Sequence, residues 1–498
     1  MKPLYYIITL LLFTFTNLNA QVQSYQVIDK STNEPLPYAT VQFTENKGII
    51  TNEEGIFSYD PSTVTATNDS IYISSLGYEK VGILLSDFKE GTIYIAPKAI
   101  ELSGVYVSNK NLSAEEIIDL VEDNLKNNYA EDYLSRTLFF RQSDYNNLKK
   151  MKVDFEKSTI AEFNEKFIDS VVSIIPRNSS YFTEVLGTFS GNAEKQKFDI
   201  IKGAELYDKS NDGSMEALSD KLEAILKKNV KPDSYLKIKS GWFLGTKVQM
   251  DSIFDNNDEA AEVKDELKKP EKNQFLNYRK SLVQRLLKSS LVNEDATLNV
   301  IHKSGRYEFK LKGNTAIDDQ VVYVIDFEPK RGEDFKGTLY INTEDYAIIR
   351  VDYQNVKNLK SVKLFGFSFQ DTDYKGKTVF AKRPDGKYAL KFMEKIRGNS
   401  YGVKRPLKII EKNKNVKGRR KQNELSVELD IGASALSKFE VVVFETHAIT
   451  EADFNSQKEN KSIKPEYMSK YNPDFWQGHN IIEPNTAIKE FTVMENGW

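Results

Sequence analysis

The chain has 498 residues, of which 28% are charged, with 69 Lys and Arg against 72 Asp and Glu for a formal net charge of −3. This length predicts two or three domains, and the near-neutral charge balance gives no support for a nucleic-acid partner. The sequence contains no cysteine, which excludes disulfides, thiolate metal ligands and the acylated cysteine of a bacterial lipoprotein.

Residues 1–20 have the three parts of a secretion signal. Lys2 provides a positive charge, an apolar core follows, and small residues end at Ala20. The apolar core is about a dozen residues long, shorter than the roughly 20 that span a bilayer. We therefore predict cleavage before Gln21, and a mature chain without a transmembrane helix that is exported to the periplasm or associates with the outer membrane.

Residues 21–108 predict a small β-sandwich. Short β-rich runs alternate with turn clusters over this segment, as in 22–28, 39–43, 71–74 and 92–95. The cluster before Gly55 predicts a tight turn in which this glycine has a positive φ angle.

The same segment resembles the carboxypeptidase-regulatory-like (transthyretin-like) domain found in exported proteins of the Bacteroidota. The matching residues are 34–41, 51–57, 76–78 and a closing strand, 102–107. The resemblance implies a structural module, and no matched residue is a catalytic group.

A peptidase is not predicted, despite the name of that family. A zinc carboxypeptidase needs His and Glu ligands at a defined spacing. The three histidines are His302, His447 and His479, and none has such a spacing. The chain after residue 107 is also too short for the barrel of a TonB-dependent receptor, in which this module occurs as well.

Residues 109–130 predict a linker helix. Ser113 and Glu116 form a capping-box pattern, and an apolar stripe follows at 117, 118, 121 and 125. We expect this helix to dock the sandwich onto the next domain.

Residues 131–498 predict an α+β domain with a large antiparallel sheet. Helical spacing occurs at 215–229 and 274–292, with a charge-rich exposed excursion at 255–273 between them. The clearest sheet is the meander over 299–353, and further strands are predicted at 361–370, 388–397, 403–411 and 424–429. The fold class is thus mainly β with α, and the aromatic and proline-rich tail from Tyr471 to Pro484 predicts a strap over this domain.

Within the meander, residues 326–330 and 335–342 resemble the core hairpin of the lipoprotein-carrier-like half-barrels. Such folds curl an antiparallel sheet around a helix and can hold an acyl chain in the concavity. The helical insertions before residue 299 are a departure from a simple carrier.

No motif identifies a catalytic, cofactor-binding or metal-ligating residue. Asp371 and Asp373 could bind calcium, but no distal Glu completes a loop, so a solvated turn is the simpler interpretation. Glu445 and His447 lie on one face of a predicted strand, where a structural histidine is the simpler interpretation. The basic run is predicted to be an exposed hairpin and loop, with contact to anionic headgroups as the alternative. Its members are Lys404, Arg405, Lys408, Lys412, Lys414, Lys417, Arg419, Arg420 and Lys421.

Three classes of function stay open from the sequence. The first is a noncatalytic binding or scaffold protein of the cell envelope, with an envelope protein or a lipid as its partner and peripheral contact with the outer membrane. The second is a periplasmic lipid or lipoprotein carrier, which predicts a continuous apolar cavity of several hundred Å³. The third is an enzyme, which predicts convergent carboxylates with shifted pKa values in one cleft.

Overall fold

The computed structural model describes most of the chain after the predicted signal. The described residues are 23–44, 47–59, 70–75, 77–84, 91–98, 112–129, 133–240, 244–249, 274–317, 320–330, 332–413, 415–418 and 420–493. The signal at 1–20, the closing strand at 102–107 and the excursion at 255–273 lie outside these ranges. The chain divides into two compact units, one of residues 1–104, 314–321 and 472–489 and one of 105–313, 322–471 and 490–498.

The first unit contains two small sheets. One has the order β4-β1-β7 and the other β3-β2-β5-β6. The strands are β1 Gln23–Asp29, β2 Thr40–Thr44, β3 Lys47–Ile50, β4 Ile56–Tyr59, β5 Ser70–Ser74, β6 Val81–Leu84 and β7 Gly91–Ile95. Alternate residues of these strands are fully buried, among them Val27, Val41, Phe57 and Ile73, as a half-buried strand requires.

Polar contacts fix the turns of this unit. Gly55 has φ +71°, as its place in the turn predicts. The Tyr78 hydroxyl donates to Asp29 Oδ2 over 2.7 Å. Burial and this carboxylate raise the pKa of Tyr78 to about 12, while hydrogen bonds from Ser31 and Tyr78 lower that of Asp29.

The segment 472–489 completes the first unit. The Asn52 amide donates to the Pro484 carbonyl over 3.2 Å, and the Thr486 N–H donates to Glu54 Oε1 over 2.9 Å. Ile482 and Ile488 are buried. The aromatic and proline-rich tail is thus tied to the turn that contains Gly55, so the predicted strap over the C-terminal domain is wrong for residues 472–484.

The second unit is built on one large curved sheet that is antiparallel apart from one parallel pair at its edge. The ends of two of its strands, 314–317 and 320–321, belong to the first unit. Its strands are β8 Leu134–Ser158, β9 Asn178–Gly191, β10 Gln196–Tyr207, β11 Tyr235–Ser240, β12 Leu244–Gln249, β13 Tyr307–Ile317, β14 Gln320–Pro329, β15 Phe335–Asn342, β16 Ile348–Asn355, β17 Lys360–Leu364, β18 Phe367–Lys382, β19 Tyr388–Lys412, β20 Lys421–Ala448 and β21 Glu466–Met468. The main path runs β13-β14-β15-β16-β18-β19-β20-β8-β9-β10-β21, with β17 on β18, β11 on β19 and β12 on β11.

Six helices accompany the strands in the described part of the chain. They are α1 Ala114–Asn128, α2 Glu165–Ile174, α3 Ser210–Asn229, α4 Gln274–Lys288, α5 Glu451–Ser456 and α6 Thr486–Lys489. The capping box of Ser113 and Glu116 at α1 is present, and the predicted apolar stripe of α1 is buried. Helices α2 and α3 share a small core that includes Phe167 and Ile225.

The mainly β fold class with α is confirmed, and two strand predictions need correction. The predicted strand at 361–370 is a hairpin, because the chain reverses at Phe365 and Gly366 between β17 and β18. The strands predicted at 388–397 and 403–411 are one strand, β19, which pairs with β20 along nearly its whole length. Among the described residues, no helix has the length and apolarity to cross a membrane.

Candidate functional site: a cavity with unpaired polar groups

The second unit contains a cavity of about 550 Å³. Its wall combines the first residues of β8 and β19, the last of β9 and β18, the C-terminal ends of α1 and α4, and the turn after α4. The volume lies within the range usual for ligand sites, roughly 300–1,000 Å³.

Apolar side chains form about half of the cavity wall. The contributing side chains come from strands and helices that are distant in sequence but adjacent in the sheet. They are Leu125, Leu134, Phe189, Leu287, Val292, Phe380, Leu390 and Met393. The charged side chains of the wall are exposed at its edge, with both signs present; these are Glu122, Asp123, Lys126, Lys288 and Glu294.

Arg136 brings a cation into this wall. It lies near the start of β8, opposite Phe189 of β9 and Thr446 of β20. Its Nε atom is buried without a hydrogen-bond partner, and within the described ranges the guanidinium forms no ion pair. Burial, with a further contribution from the nearby Arg383 cation, lowers the pKa of Arg136 to about 10. The side chain is therefore still charged at neutral pH.

Two further polar groups in the wall also lack partners. Among the described residues, six buried side-chain nitrogen or oxygen atoms have no hydrogen-bond partner, and three of these belong to residues of the cavity wall. They are Arg136 Nε, His302 Nε2 and Ser290 Oγ. A fourth, Arg383 Nη1, belongs to the neighbour of Arg136. Unpaired buried polar atoms are uncommon and costly in native proteins, so their concentration at one cavity indicates a bound polar group.

The tyrosines of the wall, by contrast, have structural partners. The Tyr129 hydroxyl donates to the Ile348 carbonyl over 2.7 Å. The Tyr388 hydroxyl donates to Asp345 Oδ2 over 2.9 Å. These hydroxyls hold the cavity wall together, whereas Arg136, Ser290 and His302 each have a buried polar atom that a ligand could pair with.

The opposite face of the same sheet carries a different arrangement of charge. Arg141 is five residues after Arg136 on β8, and side chains alternate between faces along a strand. Its Nε and Nη2 atoms lie 2.7 and 2.5 Å from Glu184 Oε1, and both side chains are buried. Burial alone would lower the pKa of Arg141, but the carboxylates of Glu184 and Glu440 outweigh it and raise that pKa.

Lys438 extends this buried network. Its Nζ lies 3.2 Å from Glu394 Oε2 and 3.3 Å from Glu440 Oε1. Glu184, Arg141, Glu440 and Glu394 occupy directly paired positions on β9, β8, β20 and β19. The network therefore ties four central strands together.

Lys395 is a second unpaired cation on the face of Arg136. Its register partner on β20 is Phe439, which pairs with Gln142 of β8. Lys395 is 6% exposed. Its Nζ lies 4.6 Å from the centre of the Tyr374 ring, and it has no ion pair or hydrogen bond within the part of the chain that the structure describes. Burial, with the nearby Arg397 cation, lowers its pKa to about 8.

The candidate residues of the sequence are not brought together into one site. His302 lines the cavity, whereas His447 lies on β20 with a largely exposed side chain, its Nε2 3.5 Å from Glu445 Oε2. Asp371 and Asp373 lie in β18 at a register shift, so the predicted solvated turn is wrong. In the described ranges, no group of three or more His, Cys, Asp or Glu residues is arranged to hold a metal ion.

The basic run divides into buried and exposed members. Arg405 is buried and donates to backbone carbonyls, and Lys408 pairs with Glu424. Lys404 remains exposed, while Lys414 and Arg419 lie outside the described residues. The run is thus not a continuous exposed band.

Carboxyl groups with displaced pKa values do not converge on the cavity. In the described part of the chain, hydrogen bonds and cations lower the pKa of Asp29, Glu116, Glu162, Asp233, Glu333, Asp430, Glu451 and Asp453. None of these eight residues is part of the cavity wall. The convergent acids that the enzyme hypothesis predicts are therefore absent from this wall.

Arg136 was missed by sequence reasoning. No motif surrounds it, and its lack of a partner depends on residues far away in the chain. The available signal was an arginine in an otherwise β-rich run, and Arg141 gives the same signal five residues later. Only the tertiary structure separates the two.

Comparison with known proteins gives no family assignment. No family model matches the chain, and no curated protein matches it. Among solved structures, the chain is similar to a LolA superfamily protein from Nitrosomonas europaea, with 10% identity, coverage of 70% of this chain and 98% of that one, and a TM-score of 0.16.

Two further structures have comparable values. A DUF1329 family protein from Desulfovibrio piger has 11% identity and a TM-score of 0.16. The match covers 64% of this chain and 90% of that one. The MucA/MucB complex of Pseudomonas aeruginosa has 7% identity, 64% and 93% coverage, and a TM-score of 0.14. At these TM-scores the similarity carries no argument about shared fold or function.

Proposed function

We propose that the protein is an exported, noncatalytic binding protein of the cell envelope whose cavity holds an amphiphilic molecule with an apolar tail and an anionic head. The observation that carries this proposal is the set of unpaired polar atoms on Arg136, Ser290 and His302 beside the apolar side chains of the wall. The proposal favours the carrier hypothesis of the sequence over a pure scaffold.

The apolar wall accounts for the tail. Burying hydrocarbon there releases about 25 cal/mol for each Å² of apolar surface removed from water. Leu390, Phe189 and Phe380 come from three different strands, so a tail would contact several strands of the sheet at once.

Arg136 accounts for the head. Its guanidinium is charged, its Nε donor is unused, and Arg383 adds positive potential beside it. A carboxylate or phosphate accepts from such a donor in the planar geometry that guanidinium groups favour. A neutral hydroxyl head could accept from this donor but would leave the charge without compensation, and a cationic head would be repelled.

The test uses three probes with the same hydrocarbon tail: palmitate, hexadecanol and hexadecyltrimethylammonium. Each is titrated into the purified protein by isothermal calorimetry. We expect palmitate to bind at least about tenfold more tightly than hexadecanol, because a hydrogen bond to a charged group contributes roughly 1.5–3 kcal/mol. The cationic probe should bind most weakly.

Two variants and one control distinguish the contribution of the head to binding from that of the tail. Arg136→Leu should remove the preference for palmitate while keeping the binding of hexadecanol. Leu390→Trp fills the cavity and should weaken all three probes. Arg285 lies on the exposed part of α4 outside the wall. Arg285→Leu should therefore change neither the preference for palmitate nor the affinity for any of the three probes. Equal binding of the three probes by the native protein would refute the proposal.

A further inference from the structure

An exposed apolar hairpin lies on the large sheet, formed by β17, the turn at Phe365 and Gly366, and the start of β18. Twelve large apolar side chains are exposed in the described part of the chain, and five of them belong to this hairpin or to β19 beside it. These five are Val362, Leu364, Phe365, Phe367 and Tyr401. Leu364 and Phe365 are the most exposed, each at 55%.

The apolar residues share one face of the hairpin. Val362 pairs with Phe369 and Leu364 pairs with Phe367 across the two strands, and Phe369 pairs with Tyr401 of β19. Since strand side chains alternate, Lys363 projects from the opposite face. The hairpin is therefore amphipathic, with an apolar face, a polar face that carries Lys363, and an apolar turn.

The turn itself has an unfavourable residue for its backbone conformation. Phe365 has φ +50° and Gly366 has φ +80°, the pattern of a two-residue hairpin in which Asn-Gly is preferred. A bulky residue at positive φ costs roughly 1–2 kcal/mol. The sequence thus places an exposed phenylalanine where stability alone would favour asparagine.

Arg405 holds the turn in place. Its guanidinium is buried, donates to the Phe365 and Ser240 carbonyls, and lies 5.0 Å from the centre of the Phe367 ring. The Lys404 N–H donates to the Gly366 carbonyl over 2.7 Å. The apolar turn is therefore presented by a braced hairpin.

Cations surround the turn more densely than acids. Lys363 is exposed and has no ion pair within the described ranges. The Lys404 side chain is 75% exposed, with its Nζ 3.8 Å from Asp430 Oδ2. The acids nearest in the strand register are Asp371, opposite Lys360, and Asp430, opposite Lys404. Residues 361–369 and 400–408 contain no acid at all.

We propose that the turn at 364–367 inserts into the surface of an anionic lipid bilayer, with Lys363 and Lys404 contacting the headgroups. Exposed apolar and aromatic side chains flanked by lysines suit the boundary between acyl chains and anionic headgroups. The charge complementarity selects a membrane over a second copy of this chain, which would bring like charges together. This inference does not depend on the content of the cavity.

The experiment measures co-sedimentation of the full protein with vesicles of phosphatidylcholine alone or with phosphatidylglycerol added. We expect binding only to the anionic vesicles. Phe365→Asn should lower it about tenfold, because the apolar side chain is lost from the bilayer. Lys363→Gln should lower it about fivefold, the effect of one cation at such a surface.

Matched controls keep the test decisive. Phe365→Asn places a favoured residue at positive φ, so its thermal midpoint should equal or exceed that of the native protein. Ile201→Asn removes an equally exposed apolar side chain from β10, and Lys310→Gln removes an exposed lysine from β13; neither should affect binding. Equal binding to both vesicle types, or binding that the hairpin variants leave unchanged, would overturn the proposal. So would an absence of vesicle binding together with self-association that Phe365→Asn abolishes.

Discussion

The two faces of the large sheet hold buried and half-buried cations in opposite ways. On one face, Arg141 and Lys438 are surrounded by the carboxylates of Glu184, Glu440 and Glu394. On the other, Arg136 and Lys395 have no acid partner within the described part of the chain, and burial lowers their pKa values. A paired buried charge serves the fold, whereas an unpaired one beside a cavity is a cost that a ligand can offset.

The largest expected effect comes from breaking the paired face. Arg141→Leu leaves Glu184 buried without a counter-ion, which should lower the free energy of unfolding by about 3–5 kcal/mol. Guanidinium chloride denaturation of the native protein and the variant measures it. The double variant Arg141→Leu, Glu184→Leu should recover most of the loss. A single variant as stable as the native protein would mean that this network does not support the sheet.

The pH dependence of stability at Lys395 tests the face with the unpaired cations. Its pKa is about 8 when folded and ordinarily 10.5, so the unfolded chain binds more protons between these values and the contribution of this group to stability rises with pH there. Lys395→Met should therefore stabilise the protein at pH 7, on the order of 3 kcal/mol, and much less at pH 10.

The comparison between these two pH values is the measurement, made by denaturation of both proteins in matched buffers. The other titrating groups are common to the native protein and the variant, so they cancel in the difference. A gain in stability that is the same at both pH values would show that packing, rather than the buried charge, is responsible.

Arg136→Leu should affect stability differently from Arg141→Leu, although both variants replace an arginine of β8 by leucine. Removing an unpaired, half-buried cation should leave the free energy of unfolding unchanged or raise it by up to about 2 kcal/mol in the absence of ligand. Differential scanning calorimetry of lipid-stripped protein checks the direction. A loss comparable to that of Arg141→Leu would mean that Arg136 is structural.

The smallest effect is expected for an exposed ion pair between β8 and β20. Lys150 Nζ lies 2.5 Å from Asp430 Oδ2, as close as Arg141 lies to Glu184, but the Lys150 side chain is 54% exposed. Solvent screens such pairs, so Asp430→Asn should leave the thermal midpoint within experimental error. A clear shift would show that ion-pair distance matters here more than burial.

The sequence predicted the local features of the fold and missed those that depend on distant residues. The cap of α1, the turn at Gly55 and the meander from β14 to β16 follow from nearby residues, and each is present. The turn at Phe365 was missed because phenylalanine seldom has a positive φ, so the alternation there predicts an uninterrupted strand.

The candidate site could not be predicted from the sequence for a related reason. Glu184 is 43 residues from Arg141 along the chain, and the cavity wall draws on residues from Glu122 to Met393. No local pattern distinguishes Arg136 from Arg141. Of the residues considered as candidates, only His302 lies in the wall, and it was noted for its type rather than for its surroundings.

Native mass spectrometry of the protein purified under mild conditions from its own envelope tests the central claim most directly. The native protein should carry one added molecule with the mass of an acidic lipid, and Arg136→Leu should lose it while Arg285→Leu retains it. A native protein without added mass, or an adduct that Arg136→Leu keeps, would contradict the assignment of the cavity to an anionic amphiphile.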